Sequence, residues 1–177
     1  MKEYYLTVVM RYGEGTHALF SVEDGIMVKE EVYHFVQQPV KENGILAWDT
    51  EAIFREILLG MKKCREIGKI PVSVGITGWG SDYVLLDAKK EMIGGAFYGM
   101  DRRSWELGDE IGKSLPESKL YSMTGLWKRP FTSLYQLMAD KVEMSERIEN
   151  AEHFLTLTDY FHFLLCGIMK NEYTGAV

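Results

Sequence analysis

The segment Tyr4–Met10 constrains this chain more than any other, because Tyr-Tyr-Leu-Thr-Val-Val-Met is apolar or aromatic at nearly every position. A strand with one wetted face alternates. An unbroken apolar run reads as a strand covered on both faces and central in its sheet. Arg11–Thr16 follows as a turn, with Gly13 and Gly15 reaching backbone angles closed to other residues. His17–Val22 then alternates, with Ala18, Phe20 and Val22 on one side. Glu23-Asp24-Gly25 carries the acid–glycine pair of a two-residue hairpin, and Ile26–Val36 alternates again. The economical arrangement is three consecutive antiparallel strands.

A loop through Gly44 leads to Asp49, which can cap a helix whose apolar positions Ile53, Phe54, Ile57, Leu58, Met61 and Cys64 recur at helical spacing. Gly68 suits the left-handed residue that closes such a helix. Val72, Val74 and Ile76 form a fourth strand ending at Thr77-Gly78-Trp79-Gly80. Asp82–Asp87 and Met92–Phe97 read as two short strands. Helices are predicted near 104–115, 131–149 and 158–167. Strand-strand-strand-helix-strand followed by helices is an α/β or α+β plan in one domain over 1–177, not a chain of βαβ units.

Composition narrows the function classes. The net charge of −6 and a pI near 5.3 argue against nucleic acid as a partner, and no basic stripe offsets that field. Two cysteines far apart, Cys64 and Cys166, make no disulfide scaffold and suit a reducing compartment. An acid at Glu3 stands where a secretion signal is basic, and no apolar run is long enough to span a bilayer. A cytoplasmic protein without membrane partners is expected. His17, His34, His153 and His162 keep no metal-ligand spacing with each other or the cysteines, so no metal site is expected. Neither a nucleophile elbow nor a Walker A loop is present.

Four segments carry a more specific signal. Gly75–Asp87, reading Gly-Ile-Thr-Gly-Trp-Gly-Ser-Asp-Tyr-Val-Leu-Leu-Asp, resembles a strand end of the form Trp-Gly-x-Asp-Phe-Val-Leu-Leu-Asp. Asn43-Gly44 and Trp48-Asp49 precede it. Pro130-Phe131-Thr132-Ser133-Leu134-Tyr135-Gln136-Leu137 follows it, and Asp159-Tyr160, Leu165-Cys166-Gly167 and Asn171–Thr174 close the series. In order and spacing these are similar to the rhamnulokinase-like members of the FGGY family of carbohydrate kinases, across essentially the whole chain.

The resemblance implies the actin-like, ribonuclease-H-like ATPase fold and an N-terminal, sugar-side domain that is incomplete. It implies ATP and Mg²⁺ for a full-length parent, none of it held by this chain, whose own catalytic residues would be none. The small-molecule partner would be a rhamnulose-like ketose, phosphorylated on a hydroxyl. Matched to the family's pattern, Gly80 lets the sugar approach the backbone, Trp79 and Asp82 flank it, and Asp101 and Arg103 stand in an Asp-x-Arg pair. Read on their own residues, Trp79 suits a core aromatic, Asp82 a strand-end cap, and Asp101 with Arg103 an ion pair holding a turn. Tyr135 and Gln136 read as helix packing and helix surface.

The first turn departs from the family. Where the pattern runs Asp-Leu-Gly-Ala-Ser-Ser-Gly-Arg, this chain has Arg11 to Ala18, keeping Gly13 and the hydroxyl of Thr16, with Gly15 also near the phosphates. An arginine does not hold Mg²⁺ as an acid does. A kinase-derived sugar-binding or regulatory protein, and an actin-like module that self-associates or binds a partner, therefore stand beside the kinase reading. The strand ending at Ile76 is expected to have an unpaired edge, covered by a second copy in a homodimer or by a local loop.

Overall fold

The apolar run becomes the middle of a sheet. In the computed structural model, which describes residues 2–176, β1 (Tyr5–Arg11) pairs antiparallel with β2 (Glu14–Glu23), and β2 with β3 (Ile26–Val36). The first turn is tighter than the glycine pair suggests: only Tyr12 and Gly13 lie between the strands, and Gly15 and Thr16 are already in β2. Asp24 and Gly25, both with positive φ, close the second hairpin as expected.

Where the sequence suggests a loop through Gly44, the chain forms another hairpin, β4 (Val40–Glu42) and β5 (Ile45–Trp48). Asn43 and Gly44 have φ of 48° and 90°, the left-handed pair that matches strand twist. Helix α1 (Thr50–Glu66) starts at Asp49, whose carboxylate accepts the Ala52 N–H at 2.8 Å. It buries Ile53, Ile57, Gly60 and Cys64 against the sheet. A Cβ at Gly60 would run into the ring of His17, so the glycine lets α1 lie close over β2.

Strand β6 (Ser73–Thr77) returns parallel to β1, giving the order β3-β2-β1-β6. Then come β7 (Tyr83–Leu86), β8 (Ala96–Phe97), α2 (Arg102–Ser114), α3 (Glu117–Thr124), α4 (Ser133–Glu143), α5 (Ser145–Glu149), β9 (His153–Thr156) and α6 (Leu157–Cys166). Strand β8 adds to β5, and β7 pairs antiparallel with β9. Val8, Met10 and Ile76 from the main sheet meet Ile53 and Ile57 of α1, Phe161 of α6, and Val84 and Leu155 of the small sheet in one core.

Several expectations change. Of the strand expected over Met92–Phe97, only Ala96–Phe97 forms, with Met92 bridging to Leu86. The helix expected over 131–149 breaks at Met144, where φ of −144° turns α5 back so that Arg147 is buried. Strand β9 and helix α3 have no counterpart in the sequence reading. Strand β1 is central by pairing, but covered on one face: Leu6, Val8 and Met10 are buried, while Thr7 and Val9 stay half-buried and Tyr5 exposed. Strand β6 does lie at an edge. Within the chain, His162 of α6 meets it at Ile76, its Nε2 accepting the Ile76 N–H at 3.0 Å.

Candidate functional site

Gly80 stands in the loop leaving β6, and nothing lies within 4 Å of where its Cβ would be. That open side fronts two cavities. One, of about 460 Å³, runs between this loop, the α3–α4 connection and β9. The other, of about 230 Å³, is lined by Thr77, Asp159, His162, Glu172 and the hydroxyls of Thr156 and Thr158. Thr156 borders both.

Behind Gly80 the backbone is clamped. The Ser81 carbonyl accepts the Ser133 hydroxyl at 2.7 Å and the Gln136 side-chain amide at 3.0 Å, and the Asp82 carbonyl accepts the Leu157 N–H at 2.8 Å. The Asp82 side chain is wholly buried. Its Oδ2 accepts the Trp48 indole N–H at 2.6 Å, and its Oδ1 the Gly99 N–H at 3.2 Å and the Gln136 amide at 3.4 Å. Burial pushes this carboxyl up to about 6, against the pull of those donors. A protonated Asp82 would have to aim its O–H at groups that are themselves donors.

The other residues singled out by sequence stand deeper. Trp79 packs on Trp48 at 4.7 Å and toward Phe161 at 6.4 Å, and its indole N–H has no partner among the described residues. Asp101 accepts the Leu46 N–H and the Arg103 N–H, both at 3.0 Å. Arg103 donates to Asp140 at 3.1 Å, and Arg147 is paired to the other oxygen of the same carboxylate. Both guanidinium groups lie over the Phe97 ring, 4.3 and 4.4 Å from its centroid. The five substrate-side candidates thus separate: Gly80 lines the cavities, Trp79 and Asp82 back it, and Asp101 and Arg103 belong to a buried ion network.

The turn comes to the same end of the molecule. Gly13, with φ of 95°, has its carbonyl accepting the Gln37 N–H at 3.0 Å. Tyr12 lies on Trp48 and edge-on to Tyr98, with centroids 6.1 and 5.5 Å apart. Burial and then the charge of Asp82 push the Tyr12 phenol up to about 12. A Cβ at Gly15 would meet the Phe35 ring, and Thr16 is paired with His34 across β2–β3. Arg11 pairs with Glu14 at 3.3 Å. No group of three His, Cys, Asp or Glu that could hold a metal occurs among the described residues, and a cationic Arg11 does not fit Mg²⁺ in this turn.

Sequence reasoning missed Gln136, which is buried rather than on a helix surface, and Trp127, which borders the larger cavity. Gln136 lay within a quoted motif; its inward direction depends on how α4 packs.

Comparison with known proteins places this geometry. The model of the FGGY family of carbohydrate kinases, N-terminal domain, matches residues 14–177. The chain belongs to the FGGY family. Its FGGY relatives include rhamnulokinases of Halalkalibacterium halodurans, 40% identical over 82% of this chain, and of Oceanobacillus iheyensis, 36% identical over 88%. The chain spans about a third of those relatives, 31% and 33% of their lengths. Solved FGGY-type folds superpose closely at low identity: gluconate kinase from Lactobacillus acidophilus at a TM-score of 0.82 and 15% identity, covering 96% of this chain and 34% of that one. Xylulose kinase from Rhodospirillum rubrum gives 0.79 at 14%, covering 96% of this chain and 36% of its own. The mixed sheet with its helices is therefore the actin-like N-terminal fold of the FGGY kinases. No helix among the described residues is long and apolar enough to cross a membrane.

Proposed function

We propose that this chain is the sugar-side part of an ATP-dependent kinase acting in the cytoplasm on a rhamnulose-like ketose. The observation that carries the reading is Gly80, a position with open space where a side chain would stand, fronting a cavity of about 460 Å³ on a rigidly clamped loop. A cavity of this size suits a small ligand. Phosphoryl transfer needs alignment more than covalent help, so a fixed floor for the acceptor sugar is what this part supplies. The complete reaction is proposed for a parent of the relatives' length, and the chain alone is expected to be inactive.

In such a parent, Gly80→Val fills the sugar's space and should lower kcat/KM for L-rhamnulose with ATP at least 100-fold. In the isolated chain, L-rhamnulose should shift the Gly80 and Ser81 amide resonances. A parent that phosphorylates ketoses equally well with valine at position 80 overturns the reading.

The turn favours a second reading, a kinase-derived protein that keeps the sugar and has a weakened nucleotide side. It rests on the Arg11–Glu14 pair in the turn and on Phe35 filling the space beside Gly15. Titration of the parent with Mg-ATP separates the two, since ordinary kinase affinity rules the second out.

A further inference from the structure

We infer that Trp127 is the stacking plate of the sugar site and selects neutral monosaccharides that present one face free of hydroxyls. The inference rests on the sugar reading of Gly80 and extends it to a residue outside the motif strand. Trp127 is 63% exposed, an unusual position for so large an apolar group. It is nevertheless supported: its ring packs on Tyr121 with centroids 4.7 Å apart and a tilt of 32°. The support comes from the end of α3, where Gly125 takes φ of 71° and donates its N–H to the Tyr121 carbonyl at 2.8 Å. Thr124 Oγ1 then accepts the Leu126 N–H at 3.1 Å, fixing the approach to Trp127.

The cavity that Trp127 shares with Gly80 is divided by chemistry. Leu126, Phe154 and the indole make an apolar wall, while Ser81 and Thr132 are hydroxyl-bearing residues of the lining. Among the described residues, no Asp, Glu, Lys, Arg or His lines it. A phosphate or a metal ion would enter without a counter-charge, which is costly. A neutral pyranose or furanose matches both halves, with C–H groups against the aromatic wall and hydroxyl edges toward the hydroxyl side. An aromatic ring presents that flat apolar face with little conformational freedom to lose.

The test is calorimetric titration of the chain with L-rhamnulose, repeated with tryptophan fluorescence. Wild type is expected to bind with a change in emission. Trp127→Ala should weaken binding about 10-fold or more and abolish most of that change, and Trp127→Phe should recover part of the affinity. Trp105→Ala, on α2, should behave as wild type. Trp127 is mostly solvent-exposed, so its variants should fold, and circular dichroism checks that they do. If Gly80→Val abolishes binding while Trp127→Ala leaves affinity unchanged, the stacking inference falls and the sugar reading stands. If wild type shows neither heat nor a Gly80 amide shift, both fall. Perturbation of the Trp127 emission by inorganic phosphate as strong as by the ketose also overturns the inference.

Discussion

Asp82 and His17 are both buried ionisable groups, and they respond to acid in opposite directions. Asp82 rises from an ordinary 3.8 to about 6, a difference of about 3 kcal/mol against its charged form. Its folded value lies above its unfolded one, so this residue makes the chain more stable as pH falls from 7 toward 4. His17 is wholly buried under α1, donating to the Ile57 carbonyl at 3.1 Å, and burial holds it below 6.5. Its neutral form is the folded one, so stability is lost as pH falls below about 6.5. Urea midpoints between pH 7 and 5 should therefore fall more steeply in Asp82→Asn than in wild type, and turn upward in His17→Phe. Three parallel curves would show that neither group is linked to folding.

At the scale of elements, the break at Met144 and the Asp140 network are one feature. Helix α5 folds back so that Arg147 reaches Asp140 as well as the Ile93 and Gly95 carbonyls at 2.9 and 2.8 Å. Tyr83 donates its hydroxyl to the same carboxylate at 2.6 Å. Helices α2, α4 and α5 and strand β7 are thereby joined through one acid. Asp140→Ala removes a carboxylate that both guanidinium groups share, leaving Arg103 with Asp101 and the more distant Glu143 and taking this acid from the buried Arg147. Chemical unfolding should show a loss of about 3–5 kcal/mol. A loss below about 1 kcal/mol would mean that solvent already relieves these charges.

For the molecule as a whole, the main sheet has helices on one face and an edge strand held by a side chain. His162 takes the Ile76 N–H that a neighbouring strand would otherwise take. An uncapped edge recruits other strands, so His162→Ala should raise the dimeric fraction in sedimentation velocity at a fixed concentration. Identical sedimentation of the two proteins would show that this histidine does not guard the edge.

The three N-terminal strands, the capped helix α1 and the return of β6 were legible in the sequence, because turn chemistry and periodicity are local properties. Gly80 was legible through its motif. Strand β9 was not, because His153–Thr156 is too short to show a period and forms only against β7. The break at Met144 was hidden for a related reason: the apolar spacing continues across it, while Arg147 turns in to reach the Ile93 and Gly95 carbonyls more than fifty residues away. Turn chemistry and periodicity determined the three antiparallel N-terminal strands and the strand that follows α1, and the family resemblance singled out Gly80. Tertiary packing decided that Asp82, Asp101 and Arg103 turn inward, that Gln136 clamps the loop, and that Trp127 faces the cavity. Side-chain direction depends on which distant donors and charges the fold brings within a few ångströms, and no window of sequence contains that distance.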